Sequence, residues 1–87
     1  MINQQDWENF VATVSSEWVL NDITVELLKL TGDQEISIAI WACLRSHSLS
    51  WIFQGIPVAN GRRPIDLLKD EGGRDELRWM LLSNPWW

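Results

Sequence analysis

The stretch WIFQGIPVANGRRPIDLL, Trp51 to Leu68, places a helix end, a glycine turn and a proline-started helix in one short module. Asn60-Gly61 favours a tight turn with positive φ, and Pro64 suits the first turn of a helix, where its fixed φ is pre-set and its missing donor costs nothing. Ile65, Leu67 and Leu68 then supply an apolar face. A helix of this length has no stability of its own in water, so it is expected to dock on a larger helical body.

Working outward, residues 4–14 put Trp7, Phe10, Val11 and Val14 on one helical stripe, because spacings of three and four return side chains to the same face. Ser15 and Ser16 interrupt that helix, and Glu17 to Leu20 form a short turn. Asp22 or Thr24 is expected to cap a helix carrying Val25, Leu27, Leu28 and Leu30, which Thr31-Gly32 stops. Asp33 caps the next helix, whose buried stripe is Ile36, Ile40, Cys43 and Leu44, with Trp41 beside it. A strand competes over Glu35–Ile40, which partly alternates and is rich in isoleucine; helix is favoured because no second strand of matching pattern lies nearby. Ser46 to Ser50 is a polar interruption before Leu49, Ile52 and Phe53 resume a helix, and Gly55 to Gly61 is a loop. Beyond the opening module, the helix begun at Pro64 runs to Lys69 and Asp70-Glu71-Gly72-Gly73 ends it. Residues 74–82 return to helical spacing with Leu77, Met80 and Leu81 inward and Trp79 to one side. The fold expected is all-α, a compact small helical bundle of about five short helices in one domain, 1–87.

The 50–82 segment resembles the C-terminal toxin-binding domain of the Xre/MbcA/ParS-type antitoxins. Trp51 and Ile52 match the Trp-apolar end of the family helix, Pro57 its loop proline, and Gly61, Arg62 and Pro64 its turn. Ile65, Asp66, Leu67 and Leu68 complete the signature without a gap, and Gly72 or Gly73 followed by Leu77, Leu81 and Leu82 is similar to its terminal helix. The family often carries a hydroxyl residue between the arginine and the proline. Here Arg63 stands there, so the cap has to come from Asn60, from water or from Asp66. The resemblance implies a helical protein that engages a cognate toxin, often of the RES type that degrades NAD, and blocks its active site without turnover or cofactor.

Composition bounds the function. The net charge of -5 argues against a phosphate-binding surface, and the helices between Asp22 and Leu44 are too acidic for a DNA-recognition face, so nucleic acid is not an expected partner. The charge is uneven: residues 1–44 hold seven acids and only Lys29, whereas residues 45–87 hold six cations against five acids. That asymmetry fits head-to-tail docking, an acidic face offered to a basic partner, or two ordinary solvated surfaces. Cys43 is the only cysteine, which fits a reducing cytoplasm and a structural thiol. No apolar run approaches bilayer length, and the first residues are not those of a secretory leader.

No constellation of groups reads as catalytic. His47 is the sole histidine, and Cys43 four residues before it lacks the further ligands a zinc site needs. Asp6 with Glu8, and Asp75 with Glu76, stand too close in sequence to face one another as an acid-base pair. The seven tryptophans point elsewhere, since Trp serves both small cores and interface hot spots. At least two are expected to be exposed in the monomer and covered in an assembly, whether a homo-oligomer or a complex; the alternative is ordinary core packing. Recognition is placed on Arg62, Arg63, Arg74 and Arg78 around Trp79, Trp86 and Trp87. In the opposing reading Arg62 clamps Asp66 or Asp70, and Trp86-Trp87 fold back on the core. An adaptor or oligomerisation module without a toxin partner, and a small DNA-binding repressor, are the other functional classes.

Overall fold

In the computed structural model, which describes residues 3–83, six α-helices and three single 3-10 turns follow one another with no strand among the described residues. The helices are α1 (Gln4–Val14), α2 (Asp22–Thr31), α3 (Gln34–Leu44), α4 (Ser48–Ile52), α5 (Pro64–Leu67) and α6 (Glu71–Leu82). The isoleucine-rich stretch that competed as a strand is helical in α3.

Side-chain caps set most of the boundaries. Asn3 accepts from the Asp6 amide at 3.0 Å to start α1, Asp33 accepts from Ile36 at 3.0 Å to start α3, and Asp70 accepts from Gly73 at 2.6 Å to start α6. The cap of α2 is Asn21, where the sequence pointed to Asp22 or Thr24. Its carboxamide accepts from the Thr24 amide and the Thr24 hydroxyl accepts from the Asn21 amide, both at 2.9 Å, which makes a reciprocal box. Gly32 ends α2 at φ 64°, its N–H returning to the Leu28 carbonyl.

The α3 helix is the central post. Ile36, Ser37, Ile38, Ala39, Ile40 and Trp41 are all buried, a wider buried surface than the stripe the sequence suggests, because α1, α2, α4 and α6 pack around it. Trp7 from α1 is fully enclosed, tilted against Phe10 at 6.0 Å between ring centres. Burying one such ring is worth at most about 4–6 kcal/mol. Its indole N–H donates to Glu35 Oε1 at 3.2 Å, so the polar end of the ring is satisfied.

Two expectations are corrected here. Of the apolar residues expected on α2, Leu27 is buried and Leu30 is half-buried against the core, but Val25 and Leu28 are exposed, and Thr24 and Thr31 take inner positions instead. The threonines can be buried because their hydroxyls are spent: Thr24 donates to the Val19 carbonyl at 2.6 Å, and Thr31 pairs with the Ser37 hydroxyl at 2.6 Å. Second, Glu71-Gly72-Gly73 does not end the preceding helix; it is the first turn of α6 behind the Asp70 cap. A Cβ on Gly73 would stand 2.1 Å from the Leu67 carbonyl oxygen, so the missing side chain is what lets α5 and α6 meet.

Among the described residues no single helix is long and apolar enough to cross a membrane. One bent pair, Gln34–Ile52 with Pro57–Leu67 at 63°, meets the length and composition together.

Candidate interaction surface

The turn module is built as its residues require. After α4, the Ile56 N–H donates to the Arg62 carbonyl at 3.0 Å and the Gly61 N–H returns to the Ile56 carbonyl at 2.9 Å, which pinches the loop shut. Asn60 at φ 59° and Gly61 at φ 79° occupy the left-handed region consecutively. At Gly55 a Cβ would lie 2.7 Å from the Gly61 carbonyl oxygen, so the two strands of the loop touch through glycine. Pro57 begins the 3-10 turn Pro57–Ala59, and Pro64 is the buried first residue of α5. Trp51, Leu67 and Leu68 are core, and Ile65 is half-buried against it. Thus Trp51, Pro64, Leu67 and Leu68 anchor the module in the core, Pro57 and Gly61 shape its exposed turn, and Phe53 and Val58 within it remain exposed.

No side chain caps α5. Neither Asn60 nor Asp66 fills that role: the Asp66 and Leu67 amides bond to the Arg63 carbonyl, and the Arg63 guanidinium grips the Asp66 carboxylate with two bonds of 2.9 and 3.2 Å. Lys69 adds a contact of 3.2 Å. Hydrogen bonds from Arg63 first and Lys69 second hold the Asp66 carboxyl below the usual aspartate range. The clamp on Asp66 therefore belongs to Arg63. Arg62 instead donates through Nε to the Ala59 carbonyl at 2.8 Å and through Nη2 to Glu76, tying the turn to α6.

The remaining arginines are also engaged. Arg74 reaches Asp33 Oδ2 at 3.2 Å, joining α6 to the start of α3. Arg78 spans Glu71 at 3.2 Å, Asp75 at 3.7 Å and Asp33 at 3.9 Å. All four arginines of the expected recognition set thus face carboxylates of their own chain. The fold brings Arg74 and Arg78 together on Asp33 and leaves Arg63 apart, just ahead of α5.

Trp79 is 50% exposed on α6. Helical register puts Asp75 and Glu76 one turn before it on its own side, and each is paired, Asp75 with Arg78 and Glu76 with Arg62. The ring consequently projects from a rim of neutralised charge. Trp7, Trp41 and Trp51 are buried and Trp18 is half-buried, so Trp79 is the one exposed tryptophan among the described residues. Trp86 and Trp87 lie outside the described residues.

Sequence reasoning missed two features. Arg45 is held at φ 50°, paired with Glu17, with its guanidinium 5.6 Å from the centre of the Trp41 ring; nothing local in the sequence announces that backbone. The other is the apolar pair Val19 and Leu20, exposed just ahead of α2. Cys43 is half-buried and burial pushes its thiol up, while His47 is exposed. Among the described residues no group of three or more His, Cys, Asp or Glu side chains is placed to hold a metal. No protein-family model, curated protein or solved structure matches this chain.

Proposed function

We propose that this chain is a non-catalytic binding domain that occludes a partner enzyme, as the toxin-binding domain it resembles over residues 50–82 does. The observation that carries the reading is Trp79. A half-exposed indole offers a large, rigid contact area, and because Asp75 and Glu76 beside it already have partners, docking over the ring leaves neither carboxylate unpaired. Its neighbours support it in a second way. Arg62 ties Glu76 to the glycine turn and Arg78 ties α6 to Asp33, so the ring sits on a braced helix and little ordering is left for binding.

In this reading the arginines position the surface and the tryptophan makes the contact. The resemblance supplies the partner class, a toxin of the NAD-degrading type encoded beside the antitoxin. The test is co-expression with the product of the adjacent open reading frame, followed by co-purification and an NAD-consumption assay. The wild-type chain is expected to co-purify and to suppress NAD loss, and Trp79→Ser to do neither while unfolding at the wild-type temperature. If the two proteins do not associate, the antitoxin reading fails. If Trp79→Ser binds and inhibits as wild type does, the reading of the surface fails.

A further inference from the structure

A second surface, on α2 and separate from Trp79, follows from how residues 17–26 are held. The Trp41 indole donates to the Glu17 carbonyl at 2.9 Å and the Thr24 hydroxyl donates to the Val19 carbonyl at 2.6 Å. Both donors come from buried side chains, and the Asn21–Thr24 box fixes the end of the segment. A backbone pinned at three points nevertheless sends Val19 and Leu20 outward, Leu20 to 80% exposure. Leu20 and Val25 occupy the two positions that commonly close a hydrophobic staple over a helix start, yet Val25 also remains exposed. The staple contributes little to folding here, and it leaves a pre-ordered apolar knob in water.

Charge identifies what fits it. Arg45, Arg62, Arg63, Lys69, Arg74 and Arg78 each meet a carboxylate of this chain, whereas Asp22 and Glu26, exposed on the first turns of α2 beside Val25, have no ion-pair partner among the described residues. Lys29, one turn further along α2, is the cation not engaged in an ion pair among those residues. A second copy of the chain therefore has few free cations to set against this face. We infer that the Leu20–Val25 knob, flanked by Asp22 and Glu26, is a docking surface for a basic, apolar segment of another protein. Apolar side chains of the segment cover Leu20 and Val25, and its Lys or Arg side chains meet the two acids, giving contacts that weaken with salt.

The test selects short random peptides displayed on phage against the immobilised full chain, with counter-selection on Leu20→Ser. Peptides that depend on Leu20 should be rich in Lys or Arg between apolar residues. Their affinity should fall by about tenfold or more with Leu20→Ser. It should also fall with added salt, and Asp22→Asn with Glu26→Gln should flatten that salt dependence. Leu20→Ser should unfold at the wild-type temperature, since the side chain lies in solvent. Neutral or acidic Leu20-dependent peptides would overturn the inference, as would the absence of any. Sedimentation of the full chain supplies the last arm: a homodimer that Leu20→Ser dissolves would assign the knob to a second copy and refute the basic partner.

Discussion

Gly72 and Gly73 are adjacent in sequence and in the same helical turn, yet replacing each by alanine should move stability in opposite directions. Gly72 is exposed, and an added Cβ would meet nothing closer than the Asp70 carboxylate at 3.5 Å. There alanine removes the entropic penalty of a helical glycine, a gain of about 0.5–1 kcal/mol. Gly73 is buried, and its Cβ would fall 2.1 Å from the Leu67 carbonyl oxygen and 2.9 Å from the Leu67 Cα, backbone atoms that cannot rotate away. Forcing α5 and α6 apart is an overpacking cost of roughly 1–3 kcal/mol or more, against the same propensity gain. Taking a net loss of about 2 kcal/mol at Gly73, the variants differ by about 3 kcal/mol. That is roughly 12–24 °C in unfolding temperature for a domain of this size. Thermal unfolding followed by circular dichroism at the helix band reads the difference directly. A Gly73→Ala protein melting at or above wild type would refute the close approach of α5 and α6 and, with it, the α6 start behind Asp70.

Three further outcomes are expected. Gly61→Ala, which places a Cβ on a residue at φ 79°, should cost about 1–2 kcal/mol in denaturant unfolding, and an unchanged midpoint would contradict the left-handed turn. The Asp66 carboxyl, followed by carbon NMR against pH, should titrate below a free aspartate. Because its folded value is depressed, its stabilising contribution is present above the unfolded value near about 3.9 and is lost as pH falls through the folded one. Arg63→Gln should raise that midpoint more than Lys69→Gln, and an equal or larger effect of Lys69→Gln would refute the ranking of the two partners. Cys43, its thiol pushed up by burial, should react with a disulfide reagent at mildly alkaline pH more slowly in the native protein than in denaturant; equal rates would place it in solvent.

The sequence makes local geometry legible and long-range pairing much less so. The bounds of α1, the cap at Asp33, the turn at Gly61 and the start at Pro64 all follow from residues within a few positions of the feature, and the structure has them there. The burial of Thr24 and Thr31 on α2 is not legible, because both count as polar in a periodicity, whereas their hydroxyls are satisfied by Val19 and Ser37. Gly72-Gly73 read as a helix stop because propensity ranks glycine low, a preference that tertiary packing overrode at Gly73. The expected recognition set separates in the same way. Trp79 falls outside the apolar stripe of its helix, so its exposure is legible, but Arg74 meets an aspartate distant in sequence, and no spacing rule reaches that far.

The enclosed Trp7 has a consequence for how the molecule opens. The buried contacts of α1 are concentrated on Trp7 and Val11, with Phe10 and Val14 only half-covered, and the outer face of the helix is polar. An element attached through so short a stripe is a natural unit of sub-global unfolding. Withdrawal of Trp7 together with Val11 releases the helix and uncovers the flank of α3 it protected. Amides along α1 should therefore exchange with solvent deuterium together, at a free energy set by seating that indole and its bond to Glu35, while the amides of α3 persist to the global limit.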